Sequence, residues 1–136
     1  MKLDKIKVPV YEEIDIVRAV FEAKDISKAA GFSQDLQFMV SIAVSELARN
    51  IYKYAGTGVV FITLLNTENR KGIEVMAEDN GPGIENTGKA MQESFSTGNT
   101  LGLGLPGVKR IMDEFTITSA PGKGTKITAR KWSKNA

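Results

Sequence analysis

The chain has 136 residues with 18 basic and 16 acidic side chains, a balance of +2 that argues against nucleic acid as a partner. It contains no Cys and no His, which excludes a disulfide framework, a thiolate zinc site, imidazole general-base chemistry and phosphohistidine chemistry. No apolar run approaches the roughly 18 residues that cross a bilayer, and Met-Lys-Leu-Asp does not open a signal peptide, so no membrane partner and a cytoplasmic location are expected. Any catalysis must then rest on carboxylates, amides, hydroxyls, backbone N–H groups and a metal held through oxygen.

Length places the chain, 1–136, in one domain with one core. In chain order, Lys5–Val10 alternates polar with apolar residues and carries Pro9, which suits a short edge strand. Tyr11–Ala30 reads as a helix stopped by Gly31, with Ile14, Val17, Val20, Phe21 and Ile26 near helical spacing. Ser33 is the expected N-cap of a second helix, Asp35 lies in its first turn, and Gly56 ends it. Its apolar stripe runs Leu36, Met39, Val40, Ala43, Val44, Leu47, Ile51 and Tyr54. Val59–Asn66 and Gly72–Glu78 are predicted to pair as a hairpin across the polar turn Thr67–Lys71. The stretch from Gly81 to Gly104 is dense in Gly, Ser, Thr and Asn, with a short helical piece at Lys89–Phe95. Leu105–Phe115 reads as a helix with Pro106 in its first turn, and Thr116–Ser119 and Thr125–Trp132 read as strands joined by Pro121-Gly122-Lys123-Gly124. This order implies an α/β (α+β) two-layer sandwich, a mostly antiparallel mixed sheet with helices on one face.

Three segments carry candidate chemistry. In Ser45-Glu-Leu-Ala-Arg-Asn50, at about 100° per residue, Asn50 projects between Met39 and Ala43 and Glu46 sits beside them at the edge of the apolar stripe. Taken alone, the pair is explained as well by hydrogen bonding at a solvated core margin. If a cavity opens there, Asn50 can lend its carbonyl oxygen to Mg²⁺, which keeps waters and phosphate oxygens for its other positions, and Glu46 can accept a proton from a hydroxyl. Arg49 and Lys53 form a second pair one turn apart, either a solvated face or a contact for phosphate. Asp79-Asn80-Gly81-Pro82-Gly83 closes a strand of buried character; it is a common turn sequence, yet the alternation points Asp79 to the helix-covered side. A carboxylate there can accept from an exocyclic amine such as that of adenine, with glycines letting backbone pass close to a flat ring. Gly102-Leu103-Gly104-Leu105-Pro106-Gly107 lacks the Lys-Ser/Thr of a P-loop and the dinucleotide spacing. It is either a plain loop-to-helix junction or a helix N-terminus presenting free N–H groups to an anion.

In this order the segments resemble the GHKL ATPases with the Bergerat fold (gyrase-type, Hsp90-type, histidine-kinase and MutL-type nucleotide domains), over Ser33 to Trp132. Within that superfamily the chain is similar to the anti-sigma-factor serine kinases of partner-switching and stressosome regulation, through SELARNIYKYAG, AEDNGPGI and GLGLPGVKRIMDEF. The resemblance implies ATP and Mg²⁺ bound between helices and sheet under a lid at about 84–101. It implies Glu46 as the catalytic carboxylate and Asn50 as the Mg²⁺ ligand. Asp79 takes the adenine amine, Gly81, Gly83 and Ile84 line the adenine pocket, and Gly102, Leu103, Gly104 and Leu105 cradle phosphates. Thr125 joins the adenine-side network, and Arg49 and Lys53 are candidates for the phosphates. It further implies phosphorylation of Ser/Thr on STAS-domain scaffold and antagonist proteins, and release of the kinase to activate a PPM-type phosphatase. The chain departs from the family in having no basic residue across Ser96–Leu101, where these kinases often place an Arg near the γ-phosphate. A non-catalytic regulator that binds ATP and acts by docking, as an anti-sigma or phosphatase-docking protein, is the competing reading; the presence of Glu46 beside the metal ligand separates the two.

Overall fold

The computed structural model describes residues 5–81 and 104–133. The described elements are β1 (Lys5–Val10), α1 (Ile14–Ala29), α2 (Gln34–Tyr54), β2 (Gly58–Asn66), β3 (Lys71–Asp79), α3 (Gly104–Ile111), β4 (Glu114–Ser119) and β5 (Thr125–Trp132). The five strands form one sheet in the order β1-β2-β3-β5-β4, and all four pairings are antiparallel. The expected short helical piece at Lys89–Phe95 and the expected lid lie outside the described residues.

Strand register sorts the side chains into rows, because residues directly opposite one another share a sheet face. One row on the helix-covered face runs Ile6, Ile62, Val75, Ala129, Phe115, and the next runs Val8, Val60, Ala77, Ile127, Ile117. Seven of these ten are buried in the hydrophobic core, and Ile6, Phe115 and Ile117 pack against it partly buried. The third row runs Val10, Gly58, Asp79, Thr125, Ser119. It lies on the same covered face, yet its last three members are polar. The core therefore ends, at one end of the sheet, in a row of hydrogen-bonding groups.

The helices close the other side of the core. Helix α2 buries Leu36, Val40, Ala43, Val44, Leu47 and Ile51 of the stripe that its spacing predicts, together with Ala48, whereas Met39 is half-buried and Tyr54, in the last turn beyond the sheet contact of Ile51, is exposed. Ser33 is its N-cap as expected, with the Leu36 N–H donating to Ser33 Oγ at 3.3 Å. Helix α1 buries Ile16, Ala19, Ala23 and Ile26, and its small alanines let it lie close against α2. Gly31, at φ 79°, reverses the chain between the two helices: its N–H reaches Lys28 O and the Phe32 N–H reaches Ser27 O, a paired closure that needs a left-handed residue.

Two sequence-derived helix boundaries move by several residues. The first helix begins at Ile14 instead of Tyr11, because the buried Asp15 carboxylate accepts from the Tyr11 and Glu12 N–H groups (2.9 and 3.0 Å) and folds those residues into a turn. The helix expected over Leu105–Phe115 ends at Ile111, and Glu114 and Phe115 begin β4. There the Asp113 N–H donates to Arg130 O at 2.8 Å, and Phe115 points into the core opposite Ala129. Apolar spacing through Val108, Ile111, Met112 and Phe115 fits a helix; pairing with β5 overrides it, a local preference yielding to tertiary context.

The opposite sheet face carries no described helix and is laced with polar contacts. Arg130 bridges Glu74 at 2.8 Å and Glu114 at 3.3 Å across three strands, and the Glu74 hydrogen bond raises the Arg130 pKa above its usual value. Trp132 lies over Gly72, where a Cβ would collide with the indole, and Arg70 stacks on its outer side at 4.0 Å. The Trp132 ring thus covers a gap that glycine leaves in the pleat.

Truncation of Leu47, fully buried between helix and sheet, is expected to cost about 2–5 kcal/mol, read as a lower denaturant midpoint at an unchanged slope. The two backbone N–H bonds, chiefly that of Tyr11, hold the Asp15 carboxyl below its ordinary range. A depressed folded-state pKa contributes stability that is present above the unfolded-state value and is lost as pH falls through the folded one. Asp15→Asn should therefore lower the thermal midpoint at neutral pH, and the gap to the parent protein should close in acid below the ordinary aspartate pKa.

Candidate functional site

Asp79 is the last residue of β3, and register carries it beside Thr125 on the covered face. The Gly81 N–H donates to Asp79 Oδ1 at 2.9 Å, which fixes the carboxylate plane. Oδ2 has no partner among the described residues. Close packing builds the surroundings. A Cβ on Gly124 would run into the Asp79 carbonyl oxygen, one on Gly58 would meet Glu78 O and Ile51 Cγ2, and one on Gly81 would meet Ala55 Cβ. Gly124, at φ 76°, is the tightest of these crossings, and it locks the β4–β5 hairpin against the end of β3.

Beside Asp79 lies a pair of hydroxyls. Ser119 Oγ is 2.7 Å from Thr125 Oγ1 and 2.9 Å from Gly124 O. Thr125 is buried and Ser119 half-buried. These groups border an open cleft of about 670 Å³ at the end of the sheet, also walled by Tyr11, Lys123 and Lys126.

Glu46 and Asn50 are not walls of that cleft; they stand on α2 above the same end of the sheet. The contacts of Ile51 at Gly58 and Ala55 at Gly81 seat the last turns of α2 over the Asp79 terminus. Both side chains are half-buried at the margin of the stripe, as the helical angle predicts. The Asn50 carboxamide has no hydrogen-bond partner among the described residues. Glu46 is held: its Oε2 accepts from the Gly104 N–H at 3.3 Å, and Arg49 Nη1 lies 3.9 Å from Oε1. Gly104 is the first residue of α3, so the carboxylate sits where a helix N-terminus favours negative charge.

The other sequence candidates fall in three groups. Arg49 is half-buried beside Glu46, whereas Lys53 is exposed with its ammonium 5.4 Å over the Tyr54 ring. The Leu105 side chain is buried in the core, leaving its backbone in the first turn of α3. Gly83, Ile84, Gly102 and Leu103 lie outside the described residues. Sequence reasoning missed Ser119, Gly58 and Gly124. Gly124 carried a legible glycine-turn signal but no sign of which backbone it would touch, and Ser119 carried none.

By their chemistry these groups offer a hydrogen-bond acceptor beside a buried hydroxyl, an unpaired carboxamide oxygen suited to a hard cation, a carboxylate one turn away, and helix-start N–H groups suited to an anion. Among the described residues no three acidic side chains cluster, so a metal here needs most of its oxygen ligands from elsewhere.

The family model for "Histidine kinase-, DNA gyrase B-, and HSP90-like ATPase" matches residues 36–135. The chain is 46% identical over 129 residues to the serine/threonine-protein kinase RsbT of Bacillus subtilis, covering 95% of this chain and 97% of that protein. It is 36% identical over 99 residues to the anti-sigma F factor of Caldanaerobacter subterraneus, covering 68% of each. The mycobacterial sensor histidine kinase MprB has a similar fold, with a TM-score of 0.56 at 16% identity over 99% of this chain and 100% of that one. The match spans most of the chain, and the chain belongs to the histidine kinase-, DNA gyrase B- and HSP90-like (GHKL) ATPase family.

Proposed function

We propose that this protein is an ATP- and Mg²⁺-dependent protein serine/threonine kinase of a partner-switching module, one nucleotide-binding domain spanning 1–136 and working in the cytoplasm. The observation that carries the reading is the placement of Glu46 and Asn50, one turn apart on α2, over the sheet end where Asp79 and Thr125 stand side by side. The 46% likeness to a serine/threonine-protein kinase over nearly the whole chain supports the enzyme class. Among the described residues no helix is long and apolar enough to cross a membrane.

In this reading Asp79 Oδ2 accepts from the adenine amine while Gly81 holds Oδ1, and Thr125 completes the base pocket with Gly83 and Ile84. At the start of α3, Gly104 and Leu105 offer backbone N–H groups to the phosphates, a role this reading also gives to Gly102 and Leu103 outside the described residues. The Asn50 oxygen fits Mg²⁺, a hard cation that takes few protein ligands and several phosphate oxygens. When bound, the metal neutralises charge on the transferring phosphoryl group. Glu46 orients the acceptor hydroxyl and takes its proton. That carboxylate is engaged by the Gly104 N–H, a donor the reading gives to phosphate, so it exchanges this contact for the acceptor hydroxyl as phosphate arrives. Arg49, next to Glu46, is better placed than Lys53 to face the γ-phosphate.

The acceptors are Ser or Thr residues of STAS-domain scaffold and antagonist proteins in a stressosome-type pathway, and the kinase, once released, binds and activates a PPM-type phosphatase. Support comes from the similarity of the motif set to partner-switching kinases and from the likeness to anti-sigma F factors. The latter likeness also favours the second reading, an ATP-binding regulator that acts by docking alone.

Incubation with a STAS-domain partner and ATP–Mg²⁺ should add one phosphate to the partner by intact mass; ATP binding without any transfer would leave the docking regulator. Glu46→Gln should retain ATP affinity and slow transfer by roughly 10²–10⁴-fold in a single-turnover assay, whereas equal rates would reduce Glu46 to a structural role. Asp79→Asn should weaken ATP binding by roughly 10–100-fold in calorimetry. The Asn oxygen stays with the Gly81 N–H and its NH₂ then opposes the adenine amine, so unchanged affinity would rule out this base pocket.

A further inference from the structure

The hydroxyl pair next to Asp79 has one proton arrangement that satisfies both the bond to the Gly124 carbonyl and the contact between the two hydroxyls. Ser119 Oγ lies 2.9 Å from Gly124 O, and a carbonyl only accepts, so this bond uses the single Ser119 proton. Ser119 Oγ also lies 2.7 Å from Thr125 Oγ1. With the serine proton directed at Gly124, the second contact is a hydrogen bond when Thr125 donates. The Gly124 carbonyl is held in place, because Gly124 packs directly on the Asp79 and Asn80 backbone at a left-handed φ of 76°. The proton order therefore runs from Thr125 to Ser119 to Gly124, and Thr125 Oγ1 presents lone pairs on its remaining side. Asp79, the register partner of Thr125, presents Oδ2, also an acceptor. Two acceptors stand next to each other.

We propose that Ser119 is a positioning residue that sets base specificity: by taking the Thr125 proton it makes the pocket an acceptor-only edge, matched to the two N–H groups of a 6-aminopurine and opposed to a 6-oxopurine. The proposal rests on the reading of Asp79 and Thr125 as the base pocket. An amine can donate one proton to Asp79 Oδ2 and the other to Thr125 Oγ1. A 6-oxo group would face two acceptors with no proton between them, and a polar mismatch in a site built for hydrogen bonding discriminates more strongly than a lost apolar contact. Ser119 itself touches no base; it acts through Thr125.

The test compares ATP with inosine triphosphate, which replaces the 6-amino group by an oxo group and puts a proton on the neighbouring N1. Dissociation constants are measured by calorimetry on the full chain, with thermal unfolding confirming that each variant is folded. In Ser119→Ala, and in the nearly isosteric Ser119→Cys with its weak acceptor sulfur, the Thr125 hydroxyl is freed to rotate and donate to an oxo group. The preference for ATP over inosine triphosphate should fall at least about fivefold, with ATP binding weaker and inosine triphosphate binding stronger. Ser119→Thr keeps the hydroxyl and should retain the parental preference. In a Thr125→Val background the Ser119→Ala change should leave the preference unmoved. Equal weakening of both nucleotides in Ser119→Ala and Ser119→Cys, or an unchanged ratio, overturns the proposal while the base pocket stands. A parent protein that binds neither nucleotide removes the base pocket and this proposal together.

Discussion

The structure depends on one register. Antiparallel pairing places Val10, Gly58, Asp79, Thr125 and Ser119 in a single row on the face covered by the helices. The two neighbouring rows are apolar and supply the core; this one changes from apolar to polar as it crosses from β1 to β4. Because side-chain direction along a strand has a period of two, a slip of one residue would turn Asp79 to the outer face and expose the core rows with it. The energy that buries Val60, Val75, Ile127 and their neighbours is thus the same energy that turns Asp79 to the helix-covered face.

Helix α2 completes the arrangement by the same economy of parts. One arc of it packs on the sheet through Val44, Leu47 and Ile51, and the margin of that arc carries Glu46 and Asn50. The packing of Ile51 at Gly58 and of Ala55 at Gly81 fixes how close that margin comes to Asp79. The residues proposed for chemistry and those that carry stability are therefore neighbours on adjacent turns. The hydrogen bond from Gly104 to Glu46 adds α3 to this framework, joining a carboxylate on one helix to the positive end of another.

Much of this was legible from residue order. The capping serine, the glycine stop, the α2 stripe and the polar pair at its margin follow from helical geometry, and the orientation of Asp79 follows from strand alternation. The helix through Phe115 was misjudged because Val108, Ile111, Met112 and Phe115 satisfy helical spacing as well as the true arrangement does. The deciding interactions, Asp113 with Arg130 and Phe115 beside Ala129, join residues far apart in the chain. Ser119 was invisible for a similar reason: a serine at the end of a short strand has many uses, and only pairing with β5 puts its hydroxyl against Thr125.

The sequence by itself determined which chemistries were available. A chain without Cys or His is confined to oxygen ligands, carboxylates, hydroxyls and backbone N–H groups, and its periodicities determined which faces of α2 and β3 carry them. Tertiary structure decided which of those groups meet. It brought the β4–β5 hairpin onto the end of β3 through Gly124, set the hydroxyls of Thr125 and Ser119 against each other, and placed the start of α3 against Glu46. The division has a physical cause. Local spacing fixes the direction of a side chain relative to its own backbone, whereas hydrogen-bond partners and excluded volume are set by packing between elements distant in sequence.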